Sequence, residues 1–251
     1  MKRSFVIHTH YRSLTTELES LLQSFQERGE YVTKGERNVI KKIAIGNEHF
    51  NIKKFKTPNL LQGFVYRFLR KSKAKRSFEY AQRLIDCGMH TPFPVGYQEN
   101  YSVVLAESFY ISKHLEYDLD FRVLNHSPNY PNREEILRQF TGFTFQLHEN
   151  GIEFLDHSPG NTLIVDNGDG TYRFYLIDLN RMRFGNLDFD QRLRNFRRLW
   201  LSKTMIKIIA KEYAKLYGKS EEETRRRLSK HSRDFQRKKV AKKLRKKKWG
   251  L

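Results

Sequence analysis

Cysteine is close to absent from this chain. Cys87, alone among 251 residues, excludes an intramolecular disulfide and suits a reducing compartment. Its plain reading is a small buried apolar side chain. Long apolar runs are missing as well. Nothing approaches the roughly 18 to 20 consecutive apolar residues that a membrane span requires, and residues 1–8 lack the apolar core of a secretory leader. A cytoplasmic location is therefore expected. Acid is scarce: 28 Asp and Glu stand against 48 Lys and Arg, a net charge of +20. The shortage is local. Between residues 225 and 248 fourteen Lys/Arg face one acid, Asp234, so thirteen of the twenty excess charges lie in a C-terminal tail. Such a balance points to anionic partners.

What is present centres on residues 147–164, Leu-His-Glu-Asn-Gly-Ile-Glu-Phe-Leu-Asp-His-Ser-Pro-Gly-Asn-Thr-Leu-Ile. Asp156 and Asn161 stand five positions apart, ahead of an apolar run at 162–165. A turn at 166–170, Asp-Asn-Gly-Asp-Gly, leads to a second run at 174–177 that ends in Asp178. A hydroxyl nucleophile needs a carboxylate within hydrogen-bond reach to accept its proton, and Asp156 can serve. Magnesium takes hard oxygen ligands, which Asn161 and Asp178 would supply from neighbouring strands. Taken singly, Asp156 reads as a turn cap and Asn161 as a strand start. The ordered set, with a helix before and a hairpin after, is far rarer. Its spacing matches the catalytic loop and metal-binding Asp of protein kinases.

Around that stretch the chain resolves into expected elements. Residues 1–29 read as an irregular start and a short helix carrying Leu21, Leu22 and Phe25. Three strands follow at 31–34, 39–45 and 50–55, joined by polar turns. In a nucleotide-binding lobe the first turn would lie over phosphates, through Gly35, Arg37 and Asn38 in place of a glycine-rich loop. The third strand would present Lys53, with Lys54 on the opposite face. Residues 64–71 combine Phe64, Phe68 and Leu69 with basic residues; an amphipathic helix is the plain reading, an anionic lipid or phosphate surface the alternative. A helix over 74–87 carries Glu79, placed to pair with Lys53. Residues 102–106 read as a buried strand, and Glu107 to Phe109 as a hinge where adenine would meet the chain. A helix from 133 to about 150, striped with Ile136, Phe140, Phe143 and Leu147, delivers the chain to Asp156.

Lys53, Glu79, Leu147-His148-x-x-Gly151-Ile152, Asp156-x-Ser-Pro-Gly-Asn161 and Ile177-Asp178 together resemble the protein-kinase-like superfamily. Ser158, where most serine/threonine kinases carry Lys, and Leu179-Asn180-Arg181 in place of Phe-Gly resemble its atypical, RIO-related branch. Ile177-Asp178-Leu179-x-Arg181 and the Gly35-x-Arg37-Asn38 turn look most like the lipopolysaccharide kinase (Kdo/WaaP) family. That resemblance, over about residues 31–200, implies an α+β, bilobal protein-kinase-like fold. Its N-terminal lobe would be an antiparallel sheet with one main helix, and its C-terminal lobe mostly helical.

The implied division is an extension at 1–29, an N-lobe at 30–107, a C-lobe at 108–224 and a basic tail at 225–251. Asp156 would be the base, Asn161 and Asp178 would hold Mg2+, and Lys53, Glu79, Arg37, Asn38 and Glu107 would bind ATP. The acceptor would be a lipopolysaccharide precursor, with 3-deoxy-octulosonic acid (Kdo) on lipid A preferred over heptose. The enzyme would be peripheral on the inner membrane of a Gram-negative bacterium, meeting the anionic surface through a basic helix and the tail. Nucleic acid is the less favoured partner. The rivals are a RIO-like kinase acting on protein or ribosomal particles, and a nucleotide-binding pseudokinase scaffold.

Overall fold

A computed structural model describes residues 2–35 and 38–248, and the chain divides into two compact units, Met1–Glu116 and Tyr117–Leu251. In the first unit β1 (Lys2–Ile7) is followed by a 3-10 turn and α1 (Thr15–Gln23). Then come β2 (Glu30–Lys34), β3 (Asn38–Ile45) and β4 (Glu48–Phe55), α2 (Leu60–Phe68), α3 (Lys73–Asp86), β5 (Pro94–Tyr101) and β6 (Leu105–Lys113). The strands form one antiparallel six-stranded sheet in the order β1-β5-β6-β4-β3-β2. A two-residue turn joins β3 to β4, and its first residue, Gly46, takes φ 57°, which glycine adopts without a Cβ clash.

Both faces of this sheet are covered. Ile43, Phe50, Ile52 and Phe109 bury against Tyr11, Leu18, Leu22 and Phe25 on one face. Phe55 and Tyr97 bury against Ala74 of α3 on the other. Side chains alternate between faces along a strand, so Lys53 lies on the α3 side and Lys54 on the α1 side.

The first 29 residues, expected as an extension, are thus part of the lobe. β1 pairs with β5 from Lys2↔Tyr101 to Ile7↔Gly96, and a Cβ at Gly96 would lie 2.7 Å from the Val6 carbonyl oxygen. β5 escapes a period-two reading because Gln98, Glu99 and Asn100 are buried along with their apolar neighbours. Of the strand expected at 102–106, residues 102–104 are instead the β5–β6 turn, and Leu105 and Ala106 open β6. Its Ser-Val-Val run has strand propensity, but Arg67 Nη1 donates to the carbonyls of Ser102 (2.9 Å) and Val103 (2.8 Å). The expected hinge at Glu107 lies inside β6, opposite Asn100. The expected lobe boundary at 107/108 therefore falls within a strand. Lys41 is buried on β3, and its Nζ donates to the carbonyls of Phe25, Gln26 and Arg28, each at 2.9 Å.

The second unit contains β7 (Leu119–Asp120), α4 (Phe121–His126), α5 (Arg133–Glu149), β8 (Ile152–Phe154), β9 (Thr162–Asp166), β10 (Tyr172–Leu176) and β11 (Met182–Phe184). α6 (Phe189–Asn195), α7 (Lys203–Tyr217) and α8 (Glu221–Lys248) complete it. Ile136, Phe140 and Leu137 of α5 share a core with Met205, Ile209 and Tyr213 of α7. β9 and β10 form the expected hairpin, with β7 beside β9. α8 runs unbroken across the expected 224/225 boundary, since Lys and Arg are good helix formers. Its first half packs through Thr224, Leu228 and Ser232, all buried, whereas Val240 and Leu244 further on are exposed. Among the described residues no helix is long and apolar enough to cross a membrane.

Candidate active site

Two ladders build the centre of the second unit. β8 pairs with β11, Phe154 opposite Met182, and β9 pairs with β10, Thr162 opposite Leu176. The loops 155–161 and 177–181 are thereby held side by side. Backbone bonds join them at both ends: Leu155 N–H donates to Arg181 O (3.0 Å), and Ile177 N–H to Asn161 O (3.0 Å). Gly151 makes the entry to β8 possible. It has φ 66°, and a Cβ there would sit 2.9 Å from the Gly185 carbonyl oxygen.

Asp156 stands on the first loop with its carboxylate between two guanidinium groups. Arg198 Nη2 lies 2.6 Å from one oxygen and Arg181 Nη1 3.6 Å from the other. Asn161 Nδ2 donates to the Asp156 carbonyl oxygen at 2.9 Å, which closes the loop on itself and reserves the amide oxygen for accepting. Asp178 has φ 58°, a left-handed conformation costly for a non-glycine residue and concentrated at functional sites. Asn180 Nδ2 donates to its Oδ1 at 2.6 Å.

Beneath the loop sits His157, buried among the rings of Phe140, Phe154 and Phe196 at 5.5, 5.7 and 6.2 Å between centroids. Burial pushes its imidazole down to about 4, so it is a neutral aromatic support. His148 is also buried. It bonds to Tyr213 Oη at 2.8 Å and Asn195 Oδ1 at 3.2 Å, and burial pushes it down to about 3. Asn195 Nδ2 donates to Phe154 O at 2.8 Å, which links the end of α6 to the base of the loop.

Asp156 and Asn161 share the first loop, and Asp178 follows Ile177, whose N–H donates to Asn161 O, on the second. In the first unit Lys53 lies on β4 between Ile40 and Tyr110, its Nζ over the Phe55 ring. Glu79 lies on α3, but its carboxylate pairs with Lys71, both oxygens within 2.9 Å, rather than with Lys53. Lys71 sits just ahead of α3 and has the shorter reach. Asn38 opens β3 opposite Phe55. Arg37 lies outside the described residues. Glu107 meets Lys54 Nζ at 2.5 Å, an ion pair between adjacent strands.

Arg198 is the residue that sequence reading missed. It lies 42 positions beyond Asp156, in the 3-10 turn Phe196–Leu199, and only the packing of that turn brings it back. Its guanidinium also covers the Phe235 ring of α8 at 5.8 Å. Together with Arg181 it supplies positive charge beside the Asp156 carboxylate, where Ser158 leaves none.

A fit for magnesium rests on donor chemistry. Among the described residues no group of three His, Cys, Asp or Glu is placed to hold a metal alone. One amide oxygen and one carboxylate, completed by nucleotide phosphates, are the hard oxygen set that magnesium takes.

An antiparallel sheet unit with one principal helix on the Lys53 face, followed by a helical unit carrying this pair of loops, is a protein-kinase-like fold. The chain is similar to the solved structure of WaaP in complex with acyl carrier protein, with a TM-score of 0.67 at 15% identity over 94% of this chain and 97% of that one. Matching solved chains number 1320, so the fold alone does not select a substrate. The sequence profile of the lipopolysaccharide kinase (Kdo/WaaP) family matches residues 19–219, and the chain belongs to that family. None of the curated proteins matches it. Membership defines a kinase that transfers phosphate to a hydroxyl group.

Proposed function

We propose that this kinase transfers the γ-phosphate of ATP to a hydroxyl of an inner-core lipopolysaccharide sugar, with Kdo on lipid A as the acceptor. The observation that carries the reading is Asp156, fixed between two strand ladders with Arg198 and Arg181 against its carboxylate. Asp156 accepts the proton of the acceptor hydroxyl as its oxygen attacks the γ-phosphorus, and ADP leaves. General-base help of this kind contributes about 10²- to 10⁴-fold. Asn161 and Asp178 hold Mg2+, whose chemistry when bound is to neutralise phosphate charge. Lys53 contacts nucleotide phosphates from the first unit. Arg198 and Arg181 take over the charge stabilisation for which other kinases use a lysine two residues after the base.

The acceptor carries carboxylate and phosphate groups and is anchored in an anionic bilayer. The basic second half of α8 suits that setting, each Lys or Arg near the surface contributing about 1 kcal/mol. On this reading the enzyme is peripheral on the cytoplasmic face of the inner membrane.

The test is transfer of labelled γ-phosphate from Mg-ATP to Kdo-lipid A, run beside protein and RNA-containing acceptors. Asp156→Ala and Asp178→Ala are each expected to lose at least about 10²-fold in rate. Transfer to protein alone would overturn the sugar acceptor in favour of a RIO-like activity. ATP binding without transfer to any acceptor would favour a scaffold.

A further inference from the structure

The helix α2 (Leu60–Phe68) presents its apolar side chains to water. Leu60, Leu61, Phe64 and Phe68 are between 50% and 79% exposed, while Gly63 is buried. At 3.6 residues per turn these four fall within an arc of about 100°, the width of stripe that a surface helix normally turns inward. Gly63 explains the inversion. A Cβ there would lie 2.8 Å from Val104 Cγ2 and 3.1 Å from the Leu105 carbonyl oxygen, so the helix packs on β6 through its glycine edge. Asn59 caps it, accepting from Gln62 N–H at 2.9 Å, and Arg67 binds it to the β5–β6 turn. The stripe is therefore presented by a braced helix. Leu69 and the turn residue Val103 extend it, both more than three-quarters exposed.

The charge around the stripe is mainly positive. Residues 56–78 hold seven Lys/Arg and no Asp or Glu. Arg67 and Arg70 are exposed next to the apolar side chains, while Lys71 is paired with Glu79. A protruding apolar ridge rimmed by cations matches the interface of an anionic bilayer, where acyl chains yield to side chains and headgroups meet the rim. A groove on a soluble protein would have to be preformed to receive the same ridge.

We propose that α2, with the Val103 turn, is a membrane-inserting element, and that Phe64 and Phe68 enter the acyl boundary of an anionic bilayer. The proposal rests on the reading of a bilayer-anchored acceptor and names the part of the first unit that meets the lipid.

The experiment uses the full chain and phosphatidylglycerol/phosphatidylethanolamine vesicles without lipopolysaccharide, so it does not depend on which sugar is phosphorylated. Flotation of the wild type is compared with Leu61→Gln/Phe64→Gln/Phe68→Gln, and thermal melting checks that the variant is folded. These side chains are exposed, so melting is expected to be unchanged. Vesicle binding is expected to fall about a hundredfold, since three apolar side chains lose their transfer out of water. In a second arm, the indole fluorescence of Phe64→Trp, made in a Trp200→Phe/Trp249→Phe background so that residue 64 is the sole reporter, is expected to blue-shift on phosphatidylglycerol vesicles and to be quenched by brominated lipids. Unchanged flotation of the triple variant would overturn the proposal, as would Phe64→Trp fluorescence indifferent to lipid. So would saturation of the ridge by a soluble acidic protein while vesicles leave it free.

Discussion

Acid should weaken the second unit before its carboxylates begin to titrate. His148 and His157 are buried neutral, held down to about 3 and about 4 by the loss of hydration that charging would entail. Unfolded, each returns to about 6.5. Between pH 6.5 and 4 the unfolded chain therefore binds protons that the folded chain refuses, and stability falls as pH falls. Going from pH 7.5 to pH 5, each histidine contributes a loss of about 2 kcal/mol, about 4 kcal/mol for the pair. Asp169 and Asp190 also have depressed values, through hydrogen bonds with Thr171 and His231. Their contribution is lost only below about pH 4, outside this window. Urea denaturation followed by tryptophan fluorescence isolates the effect, because Trp200 packs against Phe235 of the second unit and residues 1–116 contain no tryptophan. His157→Phe keeps a ring among Phe140, Phe154 and Phe196 without the titrating group. It should remove about 2 kcal/mol of the acid loss. A wild type equally stable at pH 7.5 and 5, or a His157→Phe protein with the full wild-type slope, would refute the reasoning.

Other perturbations follow from geometry already described. Arg198→Ala is expected to lower the transfer rate by about 10- to 100-fold with little change in the KM for ATP, and Arg198→Lys to recover part of it; a rate unchanged in Arg198→Ala would remove it from the chemistry. Lys41→Met leaves three carbonyls without their shared donor and should cost about 3 kcal/mol or more in chemical denaturation; a loss under about 1 kcal/mol would mean that water replaces the ammonium. Deleting residues 237–251 keeps Leu228, Ser232 and Phe235 in place and should weaken binding to anionic vesicles while sparing turnover on a soluble acceptor. Equal loss of both would mean that the exposed half of α8 serves the site itself. A deletion from residue 231 is a poorer test, because His231 bonds to Asp190 at 2.9 Å and Phe235 packs against Trp200.

The candidate site was legible where short spacing sets which residues fall on adjoining loops. Asp156, Asn161 and Asp178 sit in two loops whose flanking strands announce themselves by alternation and a Gly-Asp-Gly turn, so order along the chain was enough. Arg198 was not legible, because an arginine in a basic stretch carries no mark of the turn that returns it to Asp156. The pairing of Glu79 failed for a related reason: helical spacing puts it on the sheet-facing helix, but Lys71, eight residues earlier, competes for its carboxylate. In the fold, β2, β3 and β4 were read from apolar alternation, whereas β5 hid behind its buried Gln98, Glu99 and Asn100. With β5 went its edge partner β1. The Ser-Val-Val run then drew the strand assignment onto a turn, since β-branching is a weaker guide than the carbonyl contacts made by Arg67.

The position of β1 has a consequence for the order in which the sheet is made. β3 and β4 can zip across a two-residue turn as soon as both have been synthesised. Lys2 must wait for Tyr101, its partner across the outer ladder. A nascent chain thus holds β1 unpaired through the synthesis of about 90 further residues, and the loop that closes on it is the longest in the unit. In pulse-labelled hydrogen exchange during refolding, amides of β3 and β4 should gain protection first and those of β1 last. Of the six strands in this sheet, the one made before the others is the one that seals it.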